Sequence, residues 1–225
     1  SNLGFIYQQL ERLDEAIEAC QEALRRDARL GAASGNLGNA LRLQRRFDEA
    51  IIAHEQAIRL EPRLPMHRYN LTLALLAAQR VAEARAQCAE VLKINPDYAP
   101  AHEVLGQFLL ADGRAEEAIA HQQRAVELDP FLVAARGSLV ESLLALGRFG
   151  EAVSEAEALV EIAFRQRDVH AANELLEEGM LLKELAPRQN AVLRGDDQPI
   201  DDAETLGFAR LFEISGDFVA ACELY

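Results

Sequence analysis

Self-similarity at a fixed interval of 34 residues constrains this chain more than any other feature. Stepping forward from Leu3 by that interval meets Leu37, Leu71, Leu105 and Leu139. The step from Glu15 meets Glu49, Glu83, Glu117 and Glu151, and the step from Ala16 meets Ala50, Ala84, Ala118 and Ala152. Beside the leucines stand Gly4, Gly38, Thr72, Gly106 and Val140. Pro62, Pro96 and Pro130 close successive units. A repeat this short cannot bury its own apolar face, so neighbouring units must stack to form a continuous core.

Each column has a physical use. A leucine and the large residue four positions later, as in Leu71 and Leu75, share one face of a first helix. The recurring alanine keeps a crossing with a second helix close, where a longer side chain would overpack. Gly113 and Gly147 supply the turn between the helices in the fourth and fifth units. A glutamate at the start of each second helix suits the helix dipole. The proline stops that helix, because the residue before proline resists helical geometry. Leu105 is expected to be fully buried.

These residues resemble the tetratricopeptide-repeat family over positions 1–164, read as five units with the first truncated at its start. The resemblance implies an all-α fold, an α-solenoid of helix–turn–helix repeats wound into a right-handed superhelix. It also implies a non-catalytic scaffold that binds a protein or peptide in the concave groove lined by first helices. Two columns depart from the family pattern. Ser34, Arg68, His102 and Arg136 replace its usual tryptophan. Cys20, His54, Cys88, Gln122 and Ala156 replace its usual second-helix aromatic, so thinner packing is expected there.

Beyond Phe164 the period breaks. Residues 165–200 read as a non-repeat helix and loop. The helix is capped by Asp168, runs to about Ala186, and carries Met180 and Leu182 near one face. Residues 188–200 read as a short apolar turn and a loop. Asp201 and Glu204 resemble a capping box, and 201–225 read as the truncated start of a further repeat-like unit. Both ends then cut through repeats, which suggests a piece of a longer protein. Leu3 and Tyr7 at one end, and Phe208 and Phe212 at the other, are expected to expose apolar surface and to support weak homo-oligomerisation. The stretch 190–225 also resembles the repeat region of planctomycete-type serine/threonine protein kinases.

The net charge of −14 argues against nucleic acid and against an anionic membrane surface. Three cysteines without a CxxC pattern point to a reducing compartment, read as the cytoplasm. The chain contains no Gly-rich phosphate loop, catalytic-loop signature or GxSxG elbow, so no catalytic, cofactor or metal residue is assigned. His67 and His102, about one repeat apart, are too few for a metal site and read as packing residues.

The candidate site is the groove. Asn36, Asn39, Asn70 and Gln107 fall on first-helix columns, with Tyr69 and Glu103 beside them. Amides donate and accept, so they suit the backbone of an extended peptide; a solvated polar face is the other reading of the same column. A clamp for a terminal carboxylate would place lysine where Gly35, Tyr69, Glu103 and Gly137 stand, which excludes that function. Two alternatives to a peptide groove stay open: an accessory region of a kinase or glycosyltransferase, and a module that assembles end to end.

Overall fold

The computed structural model describes residues 12–166, 170–194, 197–199 and 201–215. Among them every regular element is helical. In order these are α1 (Leu13–Arg26), α2 (Gly31–Leu43), α3 (Phe47–Leu60), α4 (Pro65–Ala77), α5 (Val81–Ile94), α6 (Ala99–Ala111), α7 (Ala115–Leu128), α8 (Val133–Ala145) and α9 (Phe149–Gln166). Then follow α10 (His170–Leu185), a 3-10 turn (Ala186–Arg188), α11 (Gln189–Leu193) and α12 (Asp202–Ser215). Helices α2, α4, α6 and α8 start 34 residues apart, as do α1, α3, α5, α7 and α9.

The chain divides into two compact units, 1–101 and 102–225. In the first, α1 packs on α2, α3 lies against both α2 and α4, and α4 packs on α5. The first helices α2 and α4 also touch directly. In the second, α8 packs between α7 and α9, α9 on α10, and α10 against α12. The recurring alanines Ala16, Ala50, Ala84, Ala118 and Ala152 are fully buried at these crossings.

Among the described residues, the turn between first and second helix is the same four times. Arg45, Gln79, Gly113 and Gly147 all adopt positive φ, from 60° to 74°. At each, the next residue donates to a carbonyl five positions back, as from Arg46 N to Leu41 O at 2.9 Å. This is the Schellman closure. Glycine adopts that conformation freely, whereas Arg45 and Gln79 hold it against their Cβ. The other turn relies on a short acceptor: the side chains of Asp27, Asn95 and Asp129 each accept a backbone N–H two residues on.

Four expectations need correction. Leu105 is only half-buried, like Leu37, whereas Leu71 and Leu139 are in the core. The alternation follows the neighbouring residue, glycine in the first pair and Thr72 or Val140 in the second. On α6 the core is filled by Val104, Phe108 and Leu109 instead. Phe208 and Phe212 are buried rather than exposed, in a cluster with Leu182, Leu185 and Leu211. Met180 lies 56% exposed, because Leu182 and Leu185 take the inward face of α10. Residues 189–193 form a helix rather than a turn. Asp168, Leu3 and Tyr7 lie outside the described residues.

Arg188 holds this last segment together. Its guanidinium donates to Asp197 at 2.6 Å and to Glu204 at 2.9 Å, and lies 5.4 Å from the Phe208 ring centre. Asp201 Oδ1 accepts the Glu204 N–H at 2.9 Å, one half of a capping box. The Glu204 carboxylate, which would supply the other half, is engaged by Arg188.

Candidate functional site

The two columns that depart from the family pattern carry polar side chains into the repeats. His54 and Gln122 are fully buried, and neither side chain has a hydrogen-bond partner among the described residues. They fit because glycine faces them. A Cβ at Gly38 would lie 2.6 Å from the His54 ring, and one at Gly106 would lie 2.6 Å from Gln122 Cγ. Where the facing position is larger, Thr72 or Val140, this column holds the smaller Cys88 or Ala156. The column is therefore not thinly packed from α2 to α9: there residue sizes are matched across the helix pairs. Burial drives the His54 pKa down to about 4, helped by the charges of Arg42 and His67.

At Arg68, His102 and Arg136 the tryptophan column is replaced by polar bridges between the two helices of a repeat, whereas the Ser34 hydroxyl is buried without a hydrogen-bond partner among the described residues. Arg68 donates to Gln87 at 3.0 Å, the Nδ1 atoms of His102 and His121 lie 3.0 Å apart, and Arg136 pairs with Glu155. All three bridges span 19 residues. His102 thus pairs with His121, and His67 meets Glu61 at 2.5 Å. Among the described residues no three His, Cys, Asp or Glu side chains converge as metal ligands.

The second helices carry a ladder that the glutamate column alone did not reveal. Arg12, Arg46, Arg80 and Arg114 occupy the N-cap positions, and Arg148 follows the same interval. Each forks onto the glutamate three residues on, at 2.6–3.0 Å. The side-chain hydrogen bond from Arg80 holds Glu83 below the usual carboxylate range, and the other four glutamates are lowered in the same way. These pairs are exposed, so they orient the helix start more than they stabilise it. An arginine recurring with the glutamate was the available sequence signal.

The candidate groove residues fall in both units. In the first unit Asn36 and Asn39 stand half-buried on α2, with Tyr69 and Asn70 half-buried on α4. The Tyr69 ring lies against Tyr98, 5.5 Å between centres and tilted by 58°. In the second unit Glu103 and Gln107 are bonded to each other. Glu103 is buried and accepts from Gln107 Nε2 at 2.6 Å and from Ser138 Oγ at 3.0 Å. Burial pushes its carboxyl up, Ser138 opposes this, and Glu141 on α8 adds to the rise. Glu141 is raised in turn, by burial and then by Glu178 on α10. Glu103, Glu141 and Glu178, on α6, α8 and α10, thus act on one another electrostatically; Glu141 follows Gln107 in the same 34-residue column, whereas Glu178 was not anticipated.

Three tetratricopeptide-repeat profiles match this chain, over residues 1–62, over 52–99 and 69–133, and over 109–176. The chain belongs to the tetratricopeptide-repeat family. Solved structures agree on the α-solenoid fold class. A thermophilic tetratricopeptide-repeat protein of Thermus thermophilus is 22% identical, with TM-score 0.67 over 78% of this chain and 96% of its own. YrrB, described as a tetratricopeptide-repeat protein with an unusual peptide-binding site, is 17% identical, with TM-score 0.54 over 92% of this chain and 97% of its own. A chain of the APC/C hetero-tetramer Cut9–Hcn1 reaches TM-score 0.72 at 16% identity, over 99% of this chain and 41% of its own. At such identities the likeness is one of fold. No curated protein matches the sequence significantly. Among the described residues no helix is long and apolar enough to cross a membrane.

Proposed function

We propose that this tetratricopeptide-repeat chain is a non-catalytic scaffold that binds a protein or an extended peptide through the surface of its first helices. The observation that carries the reading is the placement of Asn36, Asn39 and Asn70, half-buried on α2 and α4 and outside the apolar columns. Held partly out of water on adjacent helices, such amides present donors and acceptors to a peptide backbone. Tyr69 adds an apolar body with a polar tip. YrrB, a relative in fold, is itself described by a peptide-binding site. In the second unit, taken by itself, Gln107 shares a polar network with Glu103 and Ser138.

Each amide hydrogen bond contributes about 0.5–1.5 kcal/mol net, so affinity comes from several acting together. The test is a peptide selected against the wild-type protein, followed by calorimetry on Asn36→Ala/Asn70→Ala. Weaker binding by about tenfold with an unchanged helical circular dichroism spectrum is expected. Unchanged affinity would remove the asparagines from the site. The accessory-region reading rests on the resemblance of 190–225 to kinase-associated repeats, and the gene sequence flanking this region tests it.

A further inference from the structure

Helix α4 packs against both α3 and α5, and a cleft of about 230 Å³ opens where the three meet. Glu55, Ile58 and Arg59 line it from α3, Arg68 and Leu71 from α4, and Gln87 from α5. Small-ligand pockets run from about 300 to 1,000 Å³, so this cleft suits one side chain of a partner better than a whole small molecule.

Neither arginine of the cleft, Arg59 or Arg68, forms an ion pair among the described residues. Arg68 is half-buried, and its Nη1 donates to the neutral Gln87 Oε1 at 3.0 Å. In the same column Arg136 meets a carboxylate, that of Glu155. A guanidinium drawn partly out of water beside an amide keeps its charge without a counter-ion. Gln87 must turn its oxygen to Arg68, because arginine only donates, so its Nε2 hydrogens are left to donate elsewhere. Among the described residues Glu55 is the one carboxylate that lines the cleft. It is exposed, pairs with neither arginine, and acts by its charge on Arg80 at the start of α5. Glu90 feels the charge of Arg68 without pairing with it, and is bonded to Lys93 at 2.6 Å. Two arginines against one glutamate leave the lining with a positive charge in excess, on a chain of net −14.

We infer that the cleft between α3 and α5 binds a glutamate or aspartate side chain of an acidic peptide segment, its carboxylate held by Arg59, Arg68 and the Gln87 amide. A carboxylate carries the single charge that the lining lacks, and it fits the fork of N–H groups that a guanidinium presents. A phosphate carries about −1.5 to −2 at pH 7 and would leave surplus negative charge beside Glu55. The half-buried Ile58 receives the methylenes of the acidic side chain. The inference rests on the reading of this chain as a peptide-binding scaffold, and gives that scaffold a partner chemistry through residues other than its asparagines.

The test is an NMR titration of the isotope-labelled chain, read at the side-chain N–H signals of Arg59, Arg68 and Gln87. Salt of about 0.15 M cuts the Debye length to about 8 Å, so the net charge of the chain does not keep an acidic probe away. Three short Gly-Ser peptides serve as probes, one carrying spaced glutamates, one glutamine at the same places, and one phosphoserine. The glutamate probe is expected to shift these signals and to bind at least about tenfold more tightly than the other two. Gln87→Glu sets a carboxylate of the chain against Arg68, as Glu155 stands against Arg136, and should weaken the glutamate probe about tenfold. Arg59→Gln should weaken it severalfold, and both variants should keep the circular dichroism of wild type. Equal binding of the glutamine probe, tighter binding of the phosphoserine probe, or a Gln87→Glu variant that binds as well as wild type would overturn the inference. Asn36→Ala/Asn70→Ala should leave the glutamate probe unaffected. If the peptide selected against wild type is lost with that double variant while the glutamate probe stays unbound, the cleft site fails and the scaffold reading stands.

Discussion

At the scale of single residues, His54 stands far from the surroundings an imidazole has in water. It is fully buried without a hydrogen-bond partner among the described residues, and its folded pKa is about 4 against an ordinary value of 6.5. The sign of the pH effect follows from which state takes the proton. Above pH 6.5 both states leave the ring neutral and the stability is complete. As pH falls from there to about 4, the unfolded chain is protonated first, so the native state loses stability. A gap of this size corresponds to about 3 kcal/mol. His54→Gln should fold, because Gln122 occupies the same column over a glycine in another repeat. Urea denaturation of wild type and variant near pH 7 and near pH 4 should show the acid loss reduced by roughly that amount. An equal acid loss in both would mean that His54 is hydrated in the native state.

At the scale of the helix pair, size matching is what keeps a departure from the family pattern from costing the fold. Val140 and Ala156 share the core of the second unit, on α8 and α9, and both are fully buried. Ala156→Gln alone should destabilise by about 1–3 kcal/mol through overpacking. With Val140→Gly added, the pair imitates Gly106 and Gln122 one repeat earlier, and space for the amide returns. The double variant should be more stable than the sum of the two single changes predicts, by about 1–2 kcal/mol in a denaturation cycle. Strict additivity would show that the helices adjust independently of each other.

At the scale of the whole molecule, charge decides the response to salt. The chain carries 23 Lys and Arg against 37 Asp and Glu, a net −14. Its opposite charges are largely in contact, as in the arginine–glutamate forks at 2.6–3.0 Å. Its like charges act over longer distances, and salt screens the longer distances more. Raising sodium chloride from about 0.01 M to about 0.15 M should therefore raise the melting temperature. A falling melting temperature would show that the forks outweigh the net repulsion.

The helix-pair architecture was legible because the period places identical residue types at identical crossings. Ala16, Ala50, Ala84, Ala118 and Ala152 are buried as their column requires. Glycine marked two of the four inter-helix turns. The other two were hidden in Arg45 and Gln79, since hydrogen bonds at the helix end impose the left-handed conformation there whatever residue is present. Composition likewise predicted an acidic surface, but not that Glu103 is buried and bonded by Ser138, 35 residues away. Nor did it predict that Phe208 and Phe212 are covered by α10. A fixed interval specifies contacts that recur, because each repeat meets the same neighbour. Over residues 170–215, helix-on-helix packing decided which faces are buried, and it left a cavity beside Leu206 open.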